Sequence, residues 1–182
     1  MDWVLGFARA KKVYDKIIAD KLYATPNAKK VILSKYGTTG AFGDFTQAVA
    51  DLHKDQIQYQ YVESHLTDDP DDLFCALGDF ALYVAIKGTA STTEITITHI
   101  AIYVRDDFEF NDKGVSGAIL SQPLGYWNPV AKKLLKKKAE GYYYASNAAF
   151  RTYSTNNKNG GDFLIFSDVK EIKLDAPLVI KK

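Results

Sequence analysis

The sequence predicts an α+β fold: short N-terminal helices, then a mainly antiparallel, strongly curved sheet or half-barrel with one cationic helix inserted. Three observations predict it. Apolar residues in the first third recur at helical spacing. The chain holds 12 Tyr, 10 Phe and 2 Trp, most after residue 58 and mixed with Ile, Val and Thr, residue types that fit a pleated, half-buried surface. Turn residues then cut this later part into short runs, with no internal repeat. The 182 residues suit one domain over 1–182, with a helical part over 1–56 and a mainly β part over 57–182.

Residues 7–22 place Ala10, Val13, Tyr14, Ile17, Ile18 and Lys21 on one stripe, with Lys11, Lys12, Asp15, Lys16 and Asp20 elsewhere, which is an amphipathic helix. Thr25-Pro26-Asn27 breaks it, because proline disfavours helical backbone in the residue before it. A second helix over 28–36 stops at Gly37. Asp44 and Gln47 have capping-box spacing and open a third helix through His53, with Phe45, Ala48, Val49 and Leu52 inward. Residues 57–66 alternate as a strand, and residues 67–72 form an acidic turn. Strands over 77–87 and 94–111 make an antiparallel hairpin. Asn128-Pro129 reads as a helix start and Gly141 as its end, enclosing the cationic helix with Lys132, Lys133, Lys136, Lys137 and Lys138. An aromatic strand over 142–145, an irregular or helical piece over 147–153 and strands over 162–168 and 169–174 complete the chain.

Composition excludes several classes. The net charge is +1 and the charged share 25%, so a dedicated nucleic-acid binder is not expected. No apolar run approaches the ~20 residues of a membrane span, so no transmembrane segment is expected. The first residues lack a secretory signal pattern. Cys75 is the lone cysteine, so no internal disulfide or cysteine-based zinc site follows. Phosphate-binding glycine loops, the serine nucleophile elbow and the dinucleotide fingerprint are all missing.

The stretch Thr98–Asn111 carries the most chemistry. On one strand, Ile100, Ile102, Val104, Asp106, Phe108 and Phe110 share one face, and His99, Ala101, Tyr103, Arg105, Asp107, Glu109 and Asn111 share the other. Alternate carboxylates lie about 7 Å apart along a strand. Such a pair can split into acid and base or share a divalent cation. The catalytic candidates are therefore Asp106, Asp107 and Glu109, with His99 as proton carrier and Arg151 as the neutralising cation. Asp107 and Glu109 are the metal candidates, with Mg²⁺ the cation they would hold. Asn111, Tyr126, Trp127, Asp162 and Asp168 are the substrate-binding candidates, and Gly160-Gly161 would admit a ligand close to the backbone. The competing reading is structural: antiparallel sheets commonly keep one wet face.

Three segments, Val104–Asn111, Leu124–Asn128 and Phe150-Arg151 with Gly160–Val169, together resemble a bacterial domain family found in and beside type VI secretion effectors. The similarity covers residues 75–172. Asp106-x-Phe108-Glu109 is also similar to the D-x-Y-D signature of colicin M-type toxins, which hydrolyse the lipid-linked peptidoglycan precursor. The His-Arg pair that follows there is replaced by Val115-Ser116, leaving His99 and Arg151 to supply those roles. The resemblance implies an antibacterial effector hydrolysing a phosphate ester or pyrophosphate in a lipid-linked envelope precursor. It would be made in the bacterial cytoplasm and delivered to a target periplasm, with a cognate immunity protein or secretion-machine component as partner. The alternative is a non-catalytic adaptor or immunity-type protein binding through the aromatics at Tyr126-Trp127 and Tyr142–Tyr144.

Overall fold

The structure, a computed structural model, describes residues 1–63, 71–110, 121, 123–131, 133–135 and 137–182. Its helices are α1 (Asp2–Leu5), α2 (Ala8–Ala19), α3 (Pro26–Lys35), α4 (Val49–Leu52), α5 (Asp72–Leu77) and α6 (Asn147–Asn157). Its strands are β1 (Gly40–Phe42), β2 (Gln58–Val62), β3 (Phe80–Ala90), β4 (Glu94–Phe108), β5 (Pro123–Asn128), β6 (Lys133–Leu135), β7 (Tyr143–Ser146), β8 (Phe163–Phe166) and β9 (Lys170–Lys181). This is the α+β class read from the sequence. The chain divides into two compact units: Met1–Ser64 with Asp79–Asp106 and Ile165–Lys182, and His65–Gly78 with Asp107–Leu164.

In the first unit, α2 buries Ala10 and Ile17, members of the predicted stripe. Helix α3 starts at Pro26 because the Thr25 hydroxyl accepts the Ala28 N–H at 3.2 Å and a first-position proline has no N–H to satisfy. The third predicted helix is shortened to α4. The Asp44 carboxylate instead accepts the Thr46 N–H at 2.9 Å and its hydroxyl at 2.6 Å, closing an Asx turn on the spot where a capping box was expected. Both bonds favour the ionised carboxylate and lower its pKa.

The main sheet is built on the β3–β4 hairpin, which pairs antiparallel from Ala81↔Arg105 to Ala90↔Ile95. Strands β2 and β1 pair with opposite halves of β3, and β9 pairs with β4. The sheet does not close into a barrel. The pairing is interrupted on both sides of β4 at Thr98. The β3–β4 register shifts there, and on the far side Leu174 to Pro177 lie between residues paired with His99 and Ile97. Unpaired residues of this kind bend a strand. The backbone is also tight here, since a Cβ on Gly88 would come within 2.0 Å of the Thr96 carbonyl oxygen.

In the second unit, β6, β5 and β7 form a three-stranded antiparallel sheet. This corrects the cationic helix expected over 129–140. The Asn128 carboxamide oxygen accepts the N–H groups of Val130 and Ala131 at 2.9 and 2.8 Å. That bonding resembles a helix cap, but the chain turns back instead, so that Trp127 lies opposite Leu134 and Asn128 opposite Lys133. Lys132 and Lys136 lie outside the described residues. The end of the predicted acidic turn caps a helix that the sequence reading does not assign: the Asp71 carboxylate accepts the Phe74 N–H at 2.7 Å and starts α5. Strand β3 accordingly begins at Phe80 and not at residue 77.

Candidate functional site

Strand β4 keeps part of the predicted alternation and overturns the rest. Ile100, Ile102, Val104 and Asp106 are buried, as one greasy face requires, with the aspartate continuing that face. The opposite face is not an open polar surface. Ala101 and Tyr103 are fully buried in a cluster with Leu52 and Ala85, against which Phe45, Val49, Tyr83 and Val169 pack. Residues 45–52 fold over this face and exclude solvent from its middle. Polar residues flank the buried middle, His99 and Arg105 in the first unit and Asp107 with Glu109 in the second.

A row of three tyrosines runs from the exposed Tyr59 to the buried Tyr103 beneath that cover. Tyr59 on β2 is in register with Tyr83 on β3, and Tyr83 with Tyr103 on β4. Neighbouring ring centroids are 5.6 and 6.0 Å apart. The row ends where the Tyr103 hydroxyl meets His53 Nδ1 at 3.2 Å. Burial pushes the Tyr103 phenol up, with a smaller contribution from Tyr83, so it stays protonated and serves as a core hydrogen-bonding group. Sequence reading missed this pair. Its only trace was the helical spacing of Phe45, Val49 and Leu52.

His99 sits on β4 between Lys87 and Lys173 of the flanking strands. Its Nδ1 lies 2.9 Å from the Thr98 hydroxyl. Asp168 pairs with the α-amino group of Met1, which ties the N-terminus to the sheet. His99, Asp106 and Asp168 thus belong to the first unit.

The second unit brings two of the predicted residues together. Arg151 on α6 donates to the Phe110 carbonyl at 2.6 Å, and Asp162 accepts the Phe110 N–H at 2.9 Å. A carboxylate and a guanidinium therefore hold the N–H and the C=O of the same residue, in two successive peptide groups just after β4. Phe110 stacks on Phe150 with centroids 3.6 Å apart. Beside this clamp is a groove of about 270 Å³ lined by Phe110, Phe150, Arg151, Ser154, Thr155, Gly161 and Asp162. Gly160 has φ +84°, and a Cβ there would meet the Phe150 ring at 2.8 Å, so this glycine admits an aromatic ring and not a ligand. Asn111 lies outside the described residues.

Tyr126 and Trp127 lie on β5. Trp127 is opposite Tyr143 of β7, and Tyr126 opposite Tyr144. Alternation therefore puts Trp127 and Tyr143 on one face of the small sheet and Tyr126 and Tyr144 on the other. The Tyr126 and Tyr144 rings meet edge to face at 5.8 Å. Trp127 is 40% exposed and Tyr143 67%.

The chain belongs to a family of unknown function (DUF6402). The match covers residues 1–133 and 129–182, so the family spans both compact units. No curated protein and no solved structure matches the chain. Among the described residues, no three His, Cys, Asp or Glu side chains are grouped as ligands for a metal ion, and the carboxylates of Asp107 and Glu109 form at most a pair. No helix among them is long and apolar enough to cross a membrane.

Proposed function

We propose that this protein is a non-catalytic interaction protein, of the adaptor or immunity type, that docks a protein partner on the three-stranded aromatic sheet. The observation that carries this reading is the cross-strand pair Trp127–Tyr143, which faces solvent. Large aromatics cost free energy when left wet and are enriched at protein interfaces. Lys133, Lys137 and Lys138 are exposed on the adjoining hairpin, so the fitting partner presents an apolar patch edged by carboxylates. In the secretion setting implied by the resemblance, that partner is a cognate effector or a component of the machine. The test compares proteins captured from the producing cells by wild type and by Trp127→Ala/Tyr143→Ala, followed by reconstitution with the purified partner. Binding to an acidic partner that the double variant weakens by about tenfold or more supports the reading. Identical capture by both refutes it.

A second reading, an effector hydrolase acting on a phosphate-bearing envelope precursor, is favoured by one observation. Arg151, Asp162, Ser154 and Thr155 line one groove in the same unit as Asp107 and Glu109. Arginine suits bidentate recognition of a phosphate. Expression directed to the cytoplasm and to the periplasm separates the two readings. Toxicity in one compartment that Asp107→Ala and Glu109→Ala each abolish, with circular dichroism unchanged, establishes the hydrolase and removes the adaptor reading.

A further inference from the structure

The two long sides of the main sheet are finished very differently. Strand β9, on the β4 side, carries Lys170, Glu171, Lys173, Asp175, Pro177 and Lys181 and is interrupted opposite Thr98. Charges, proline and a bulge are the usual means of preventing an edge from pairing with another strand. Strand β2, on the β3 side, reads Gln58-Tyr59-Gln60-Tyr61-Val62 and has none of them. Among the described residues it pairs with β3 alone.

Its outward hydrogen-bonding groups can be identified. The Val84 carbonyl points toward β2, because it accepts the Ile57 N–H at 2.8 Å. Backbone groups alternate in direction along a strand, so Gln58, Gln60 and Val62 face β3, while Tyr59 and Tyr61 turn their N–H and C=O groups to the outside. The Tyr59 amide agrees: it donates to the side chain of its own neighbour, Gln58 Oε1, at 3.0 Å. Tyr59 is 44% exposed and Tyr61 63%.

We infer that β2 pairs antiparallel with β2 of a second copy of this chain, about a two-fold axis through Gln60. The segment is complementary to itself in that register. Tyr59 lies opposite Tyr61 of the second copy and Tyr61 opposite its Tyr59, and each pair exchanges two main-chain hydrogen bonds through the groups now turned outward. Gln60 then faces its own copy across the axis, where an uncharged amide is tolerated and a charge is not. The tyrosine row Tyr103–Tyr83–Tyr59 continues into Tyr61 of the second copy, so ring packing already present within one chain extends across the interface.

Sedimentation of the full chain over about a hundredfold dilution tests this, with Gln60→Lys, Gln60→Glu and their equimolar mixture. The wild type sediments as a dissociating dimer. Each variant alone associates about fivefold more weakly or worse, and the mixture recovers the dimer. Concentration-dependent amide exchange of the wild type, with protection at Tyr59 and Tyr61 rising with dimer, gives a readout that needs no variant. A wild type that stays monomeric, variants that dimerise like the wild type, a mixture without recovery, or amides indifferent to concentration would each overturn the inference.

Discussion

Replacing Tyr103 by Phe removes one oxygen atom from the core and tests how that core is held. The side chain is fully buried, and its hydroxyl meets His53 Nδ1 at 3.2 Å. A hydrogen bond of this kind contributes about 1 kcal/mol net, and a sealed, abandoned partner raises the loss to about 3. His53 is only half-buried, so water reaches its ring, and the expected loss at neutral pH is about 1–1.5 kcal/mol. For a chain of this length, that lowers Tm by roughly 2–6 °C. Tyr103→Ala, which empties the ring volume, costs about 3–5 kcal/mol. The pH dependence is more discriminating. Burial raises the phenol pKa above its ordinary value of 10.0, so the folded protein keeps a proton that the unfolded chain releases. The contribution is intact below pH 10 and falls as pH rises above it, by about 1.4 kcal/mol per pH unit for one proton. Phe has no such proton, and the similarly raised Tyr36 is common to both proteins and cancels. Urea titrations should therefore show the wild type ahead at pH 7 and the variant ahead by about pH 11 to 11.5. A stability gap constant from pH 9 to 11.5 would refute the assignment of Tyr103 as a buried, proton-retaining phenol. A neutral-pH loss above about 3 kcal/mol would show that His53 is sealed from water.

Two further outcomes follow from local geometry. Gly88→Ala forces a Cβ to within 2.0 Å of the Thr96 carbonyl oxygen and should cost about 2–3 kcal/mol or more, whereas Gly161→Ala, with nothing within 4 Å, should stay within about 0.5 kcal/mol; urea midpoints of the two variants give the comparison. Asp71→Ala removes the acceptor that holds the Phe74 N–H at 2.7 Å and should destabilise α5 by about 1 kcal/mol, read as faster amide exchange over residues 72–77.

Strands β3 and β4 were legible in the sequence because alternation is a local property: Ile100, Ile102 and Val104 had to share a face whatever lay beyond them. What covers the other face was not legible. Alternation groups Ala101 and Tyr103 with His99 and Asp107, but only the packing of Phe45, Val49 and Leu52 decides that the middle of the group is dry. The misread segment after Asn128 failed for the same reason. Its Lys, Leu and Ala residues favour helix locally, yet Trp127 gains cross-strand neighbours on both sides only if the chain turns back, and that gain depends on residues far along the sequence. Arg151 and Asp162 were both singled out, but they meet through the backbone of Phe110, and a peptide group leaves no mark on residue identity. The covered middle thus leaves the polar face of β4 open at Asp107 and Glu109. Trp3, Tyr153 and Phe163 are exposed singly, whereas β5 with β7 and β2 each expose neighbouring aromatics, side chains costly to leave in water. A surface of that kind is explained by what it meets, and that is why the proposed docking sheet and the β2 edge are where experiment should begin.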